Sequence, residues 1–133
     1  MANEKSVTSM KKVVFEYQLS STSVQMIWNA IATAPGLASW FADDVSCNDR
    51  IFEFVWGKHE RRIAEMINCR QNTYVRFRWQ DGDPNAFFEF RIQRNDLTGT
   101  FNLEITDFVE EGEEEDEKSL WDTSIDALRR CGL

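Results

Sequence analysis

The stretch VQMIWNAIATAPGLASWFADDV, residues 24–45, carries two helical signals in succession. Apolar residues at the i, i+3, i+4 and i+7 spacing of an amphipathic helix come first, namely Val24, Ile27, Trp28 and Ile31. The Pro-Gly pair after them predicts the end of this helix. Leu37, Trp40 and Phe41 then repeat the i, i+3, i+4 spacing on a second, very short helix. We therefore expect Trp40 and Phe41 to lay both rings against an apolar surface.

The residues before this stretch predict a strand and a helix start. In KVVFEYQL, residues 12–19, apolar and polar side chains alternate, which is typical of a half-buried strand. Thr22 is followed three residues later by Gln25, the spacing of a capping box. The first helix is therefore predicted to begin at Thr22.

The residues after the stretch alternate with period two. Four runs each place apolar side chains on one face, and these are Phe52, Phe54 and Trp56; Val75, Phe77 and Trp79; Phe88, Phe90 and Ile92; and Phe101, Leu103 and Ile105. Short polar breaks at 48–50, 57–60, 80–85 and 94–99 separate the runs. Alternating runs joined by short loops predict an antiparallel meander with one buried face.

One further run, RRIAEMINC at 61–69, has two competing registers. If Ile63 and Ile67 point inward, Glu65 points inward with them and could anchor the polar end of a ligand. If Ala64 and Met66 point inward, Glu65 lies in water. We favour the second register and leave the first open.

The C-terminal residues 115–133, EDEKSLWDTSIDALRRCGL, predict a long helix. Trp121, Ile125 and Leu128 follow an i, i+4, i+7 spacing, and two arginines near the end suit the helix dipole. The acidic run EEGEEEDE, residues 110–117, is interpreted as a solvated loop that leads into this helix and whose last residues stabilise the helix N-terminus. Docking of the run on a basic partner is the alternative.

The composition excludes several classes of protein. The formal charge is −8, but the acidic run holds seven of the 23 acids, which leaves 16 acids against 15 bases elsewhere. No basic stripe suits a phosphate backbone, so nucleic acid is not an expected partner. Three widely spaced cysteines and one histidine indicate free thiols, no metal and a reducing cytoplasm. No apolar run predicts export or membrane insertion.

The order of elements and three motifs resemble the START-like (SRPBCC) superfamily, within it the branch homologous to the activator of the heat-shock chaperone ATPase. The motifs are residues 24–45, ITDF at 105–108 and LWDTSIDALRR at 120–130. The resemblance covers nearly the whole chain, so we expect a single domain over 1–133 with a flexible N-terminus at 1–10. The Gly-Gly pair common before the family's third strand is absent, and NDRIFEF stands in its place.

The resemblance implies an α+β helix-grip fold, in which a curved antiparallel sheet wraps around the C-terminal helix. Trp40 and Phe41 would then close one end of the gap between sheet and helix and touch the start of that helix. It also implies a set of residues that line a ligand cavity in this gap: Trp40, Phe41, Phe54, Trp56, Phe77, Trp79, Phe88, Phe90, Phe101, Trp121 and Ile125. The alternative for these rings is a core that they fill themselves.

Polar candidates for chemistry are few. His59 lies in a predicted hairpin and has no nucleophile at a recognisable spacing, so we interpret it as solvated. Asp43, Asp44 and Asp107 fall near the ends of elements, where they could bind a cation or transfer protons. Capping of turns and helices is the preferred interpretation for all three. No catalytic residue, metal site or cofactor is predicted.

The sequence leaves three candidate functions. The first is non-enzymatic binding of a small apolar or amphipathic molecule between the sheet and the C-terminal helix. The second is a protein-interaction or co-chaperone-like module with a filled core. The third, an enzyme, would gain support from facing carboxylates inside a cavity. A homodimer is expected through apolar residues on the outer sheet face, namely Val14, Ile51, Val55, Tyr74 and Phe87. If the strand order of the family holds, Val14 lies close to the second strand and joins Ile51 and Val55 in one patch.

Overall fold

A computed structural model describes residues 10–133 of the chain. Of the expected flexible N-terminus, residues 1–9 lie outside the described residues, and Met10 begins the first strand. The elements are, in order, β1 (Met10–Leu19), α1 (Val24–Ala32), α2 (Ala34–Ala38), β2 (Asp44–Asn48), β3 (Ile51–Trp56), β4 (Glu60–Arg70), β5 (Tyr74–Trp79), β6 (Phe88–Arg94), β7 (Phe101–Glu110) and α3 (Glu114–Arg130).

The strands form one curved antiparallel sheet in the order β1-β7-β6-β5-β4-β3-β2. Helix α3 contacts β1 and β7, while α1 contacts β6 and α2 contacts β2. All three helices thus pack on the sheet, and the core lies between them and its inner face. The predicted α+β helix-grip fold is confirmed.

The inner face follows the predicted alternation. Phe54, Phe77 and Phe90 are fully buried at the centres of their strands. In β4, Ala64 is buried and Glu65 is exposed, so the preferred register is confirmed. A β-bulge between Met66 and Asn68 then shifts the pairing with β5, which explains why the alternation in this run is imperfect.

The start of α1 and the break before α2 differ in detail from the prediction. The N-cap is Ser23, whose hydroxyl accepts a hydrogen bond from the Met26 amide at 3.2 Å, so the capping box at Thr22 is wrong. Thr33 ends α1 and caps α2, because its hydroxyl accepts from the Gly36 amide at 3.0 Å. The proline lies in the first turn of α2, where a missing amide hydrogen costs nothing.

Strand β2 was not predicted from the sequence. It pairs with β3 at the edge of the sheet, and of its five residues only Val45 is buried. An edge strand with one inward side chain shows no apolar alternation, so period-two analysis does not detect it.

The acidic run also differs from the predicted loop. Strand β7 extends to Glu110, and α3 begins at Glu114. Four of the acids therefore form the first turn of α3, where carboxylates interact favourably with the helix dipole. Only residues 111–113 connect the strand to the helix.

The predicted outer patch does not form. Val14 is 52% exposed and Ile51 38% exposed, so both side chains face solvent. However, β1 pairs only with β7 at one edge, while β3 lies between β4 and β2 near the other edge. Val14 therefore lies across the full width of the sheet from Ile51 and Val55, and this part of the prediction is wrong.

Cys47, Cys69 and Cys131 are all exposed and unpaired. Among residues 10–133, no cluster of three or more His, Cys, Asp or Glu side chains is placed to hold a metal ion. No helix in the same range is long and apolar enough to span a membrane.

We expect all three thiols to react in a thiol titration under denaturing, non-reducing conditions. Exposed cysteines without a partner have no route to an intramolecular disulfide unless the backbone moves. A stoichiometric disulfide or bound zinc in the purified protein would contradict this prediction.

Candidate ligand-binding cleft

A cleft with a volume of about 1090 Å³ opens at the end of the gap between the sheet and α3. Helix α2 and the turn after it form one wall, and one face of α3, from Glu117 to Arg130, forms the opposite wall. The ends of β3, β4, β5 and β7 form the floor. The cleft is therefore built where the sheet, the short helices and the long helix meet.

Phe41 lies at the centre of the aromatic floor. Its ring contacts six other aromatic rings, with centroid separations between 5.2 and 5.8 Å. The contact with Trp121 on α3 is a stacked one, at 5.7 Å and 18° between the ring planes. Phe41 thus touches the C-terminal helix, but at Trp121 and not in the first turn as expected, while the ring of Trp40 contacts Phe41 and Phe90.

Trp40 and Trp56 fix the position of Phe41 through backbone hydrogen bonds. The Trp40 indole donates to the Ala30 carbonyl of α1 at 2.8 Å, which ties the end of α2 to α1. The Trp56 indole donates to the Phe41 carbonyl at 2.9 Å. Both indoles keep their apolar faces for packing while their N–H groups are satisfied.

The predicted cavity residues fall into two groups. Six of them line the cleft: Trp40, Phe41, Trp56, Trp79, Phe88 and Trp121. The other five do not line it and lie instead among the buried core residues: Phe54, Phe77, Phe90, Phe101 and Ile125. Rings packed against one another fill the interior beneath the cleft, so these five side chains belong to the core and not to a cavity wall. Binding of a ligand by the six remains a prediction.

A pair of carboxyl groups lies beside Trp121 at the cleft. Asp107 is buried, and its side chain accepts hydrogen bonds from the Trp121 indole at 2.9 Å and from the Phe108 amide at 2.8 Å. Glu117 lies one helical turn before Trp121 and faces Asp107. This is the arrangement that supports acid–base chemistry when a cavity contains it.

The pKa of Glu117 is raised to about 8. The hydrogen bond with Asp107 is the largest cause, followed by burial and by the negative charge of Asp107. Glu113 raises the pKa further, while the nearby Arg62 guanidinium lowers it. Near neutral pH, Glu117 therefore holds a proton that it can donate to Asp107 or to a ligand.

This pair was detectable in the sequence only in part. Asp107 continues the inward alternation of Phe101, Leu103 and Ile105, so period two already places it on the buried face. Glu117 stands at i−4 from Trp121, which places both on the same face of α3. We had interpreted Asp107 as a capping residue and Glu117 as part of a solvated run.

We expect the wild-type free energy of unfolding to fall as the pH rises from about 5 to about 9. An acid whose pKa is raised in the folded state stabilises the fold fully below its unfolded pKa of 4.5. That contribution is lost as the pH rises through the folded value of about 8. Because Glu117 is only partly buried, we expect a change of roughly 1–2 kcal/mol after solvent screening.

Urea unfolding at several pH values measures this dependence. Glu117→Gln should remove it, since the amide keeps a donor for Asp107 and does not titrate. Glu115→Gln, a neighbour outside the cleft, should retain it. An unchanged pH dependence in Glu117→Gln would show that another group is responsible.

The remaining polar candidates either accept hydrogen bonds from nearby backbone amides or lie in solvent. Asp43 lines the cleft, and its carboxylate accepts a hydrogen bond from the Gly57 amide at 2.6 Å, which stabilises the turn after β3. Asp44 is exposed and accepts from the Val45 amide. His59 is exposed in the turn between β3 and β4, away from the cleft lining.

Similar structures share this architecture. A Bacteroides fragilis protein solved in solution is 42% identical, with 93% of this chain and 92% of that chain aligned and a TM-score of 0.67. The Aha1 dimer from Colwellia psychrerythraea is 14% identical, with 89% and 92% aligned and a TM-score of 0.72. XoxI from Bacillus cereus is 12% identical, with 93% and 95% aligned and a TM-score of 0.68. The last two likenesses show the fold alone.

No curated protein is significantly similar in sequence. A family model, described as a START-like superfamily domain, matches residues 7–131. This match covers nearly the whole chain. The chain therefore belongs to the START-like superfamily.

Proposed function

We propose that this protein binds a small apolar or amphipathic molecule in the cleft and does not transform it. The observation that carries the proposal is an open volume of about 1090 Å³ with eight aromatic residues in its lining, the six predicted ones together with Phe87 and Phe108. Ligand sites are usually apolar concavities with a few polar groups that orient the ligand. Here the carboxyl pair of Asp107 and Glu117 supplies such polar groups. The exposed cysteines support a cytoplasmic location for this function.

Trp121 would act as both core and cleft wall in this function. It is 6% exposed, and its ring stacks on Phe41 while its edge meets Phe90. A ligand in the cleft would contact the outer side of the same aromatic floor. Helix α3 would then be a lid whose inner face contacts the ligand.

A library of lipids and aromatic compounds, screened by thermal unfolding, tests the proposal. A ligand at a hundredfold excess over its Kd adds about 2.7 kcal/mol to the stability of the folded state. Native mass spectrometry of the purified protein would detect a molecule retained from the cell.

Two substitutions on α3 localise the binding. Ser124→Trp places a large ring in the cleft lining and should abolish the shifts, whereas Ser119→Trp lies outside the lining and should leave them unchanged. Shifts that persist in Ser124→Trp would place the ligand elsewhere. No shift with any compound would leave the protein better explained as an interaction module.

A protein-interaction module is the alternative, supported by the filled interior beneath the cleft and by Leu120, which is 64% exposed at the cleft rim. A homodimer is the form of interaction that we expect. Light scattering at high micromolar concentration measures it, and a monomeric mass would contradict the dimer.

Acid–base catalysis is a second alternative, supported by one specific observation. Asp107 and Glu117 face each other at the cleft, and Glu117 has a raised pKa. Such a pair provides a proton donor and a proton acceptor at neutral pH. Turnover of a compound identified by the thermal screen, lost in Glu117→Gln, would favour this function over binding alone.

A further inference from the structure

The charge around the cleft is strongly asymmetric. The lining contains seven carboxyl side chains and two guanidinium side chains. The carboxyl groups are those of Asp43, Glu60, Asp83, Asp107, Glu110, Glu113 and Glu117, and the guanidinium groups are those of Arg62 and Arg130. A partly enclosed site with one excess sign concentrates ligands of the opposite sign. This cleft therefore favours cations.

One of the two arginines already shows how a cation is held here. The Arg62 guanidinium lies 4.0 Å from the centroid of the Trp79 ring, a cation–π geometry on the aromatic wall. Arg62 also pairs with Asp81 at 2.9 Å, and Asp81 is not part of the cleft lining. Its charge is thus partly compensated by groups that do not face the ligand.

We propose that the cleft selects a small organic ammonium ion with an apolar body, whose charged head lies at Asp107 and Glu117 and whose body covers the partly exposed rings of Phe41 and Trp56. This inference rests on the proposed binding function and names the chemical class of its ligand. The buried carboxyl of Asp107, held by the Trp121 indole, gives the head a fixed acceptor. The aromatic floor gives the body an apolar surface.

Other head groups fit this cleft less well. An anionic head would meet the carboxyl pair directly, and like charges in a partly buried site repel. A neutral hydroxyl can exchange hydrogen bonds with the pair but gains no charge-assisted interaction. We therefore expect an ammonium compound to bind about tenfold more tightly than the matching alcohol.

Binding of a cation should also release a proton. The groups that face Glu117 are Asp107 from β7, Arg62 from β4 and Glu113 just before α3. Near pH 7, Glu117 holds its proton mainly because of Asp107 and burial. An ammonium head next to both carboxyls favours their ionised forms, so it lowers the pKa of Glu117 and displaces the proton.

The test compares three compounds that share an indole-ethyl or indole-methyl body: tryptamine, tryptophol and indoleacetate. Isothermal calorimetry in two buffers of different ionisation enthalpy gives both the Kd and the protons released. We expect tryptamine to bind about tenfold more tightly than tryptophol, indoleacetate to bind most weakly, and proton release with tryptamine only.

Variants separate the contributions of the two carboxyls. Glu117→Gln should abolish proton release and weaken tryptamine binding, with little effect on tryptophol. The double substitution Asp107→Asn with Glu117→Gln should remove the preference for the amine. Glu115→Gln removes a charge from the same helix turn outside the cleft lining and should behave like the wild type. If the double variant does not fold, the single variant Glu117→Gln still tests the proposal, because proton release that persists in this variant would overturn it.

The outcomes distinguish the two proposals. If the three compounds bind the wild type with equal affinity and do not bind Ser124→Trp, the cation preference is overturned and the binding function stays intact. Tightest binding of indoleacetate, or an unchanged amine preference in the double variant, would overturn the preference as well. Failure of all three compounds, together with no thermal shift in the wider library, would overturn the binding function itself.

Discussion

Replacing Trp121 with alanine is expected to lower the free energy of unfolding by about 3–4 kcal/mol. Of the apolar side chains on α3, only Trp121, Ile125 and Leu128 are buried, so much of the helix's packing on the sheet depends on this indole. Its removal eliminates the stacked contact with Phe41 and leaves the buried Asp107 carboxyl without its indole donor. Both losses lower the free energy of unfolding.

Urea unfolding of Trp121→Ala and Trp121→Phe separates the ring from the hydrogen bond. Trp121→Phe keeps an aromatic ring against Phe41 and removes only the indole donor, so we expect a smaller loss of about 1–3 kcal/mol. A loss below about 1 kcal/mol in the alanine variant would mean that the site relaxes freely and that the ring is not a core element.

The Trp121→Ala variant also tests ligand binding in the cleft. Because Trp121 lines the cleft, a ligand that raises the wild-type melting temperature should shift that of Trp121→Ala much less. The lid role of α3 would be contradicted by two results together: a loss of about 3–4 kcal/mol in Trp121→Ala and no change in the wild-type melting temperature with any ligand. The protein would then be a solid interaction module.

Replacing Gly36 with alanine is expected to destabilise the fold by about 3 kcal/mol, in the upper part of the range for overpacked sites. A Cβ atom at this position would lie 1.9 Å from the Asn29 carbonyl oxygen and 2.8 Å from the Ala30 Cα. These are backbone atoms of α1, so neither can rotate away. Helix α2 must therefore move away from α1, which also displaces Phe41 from the centre of the aromatic floor.

Gly82→Ala is the matched control for this substitution. The nearest atom to a Cβ at Gly82 is the Cβ of Trp79 at 3.3 Å, a contact that a small shift relieves. Both substitutions remove the same backbone freedom from the unfolded chain, so their difference reports the native clash. Equal stability of the two variants by urea unfolding would show that α1 and α2 are not rigidly packed.

The sequence alone was sufficient to recognise most of the strands and helices. Strands with an inward alternation, such as β5 and β6, and helices with an apolar stripe, such as α1, are recognisable from neighbours two to four residues apart. These strand and helix signals depend on local spacing, which a sequence displays. The place of the Trp40–Phe41 pair at one end of the gap came instead from the resemblance to the family, and there the pair lines an open cleft and does not close the gap.

Features without such a spacing were missed or misplaced. Strand β2 has a single inward side chain, Val45, and its existence depends on pairing with β3. The N-cap at Ser23 and the beginning of α3 at Glu114 depend on which of several suitable residues the tertiary packing selects. The separation of Val14 from Ile51 follows from the strand order, which no local pattern encodes.

The candidate site belongs to the second kind of feature. The sequence marked the aromatic residues but could not distinguish those that line the cleft, such as Trp56 and Trp79, from those that fill the core, such as Phe54. The pairing of Asp107 with Glu117 exists only because α3 docks with its first turns over the end of β7. Docking also sets the burial and the shared hydrogen bond that raise the pKa of Glu117. A carboxyl acquires such properties from its three-dimensional surroundings, so only the tertiary structure decided where this site lies and what it can bind.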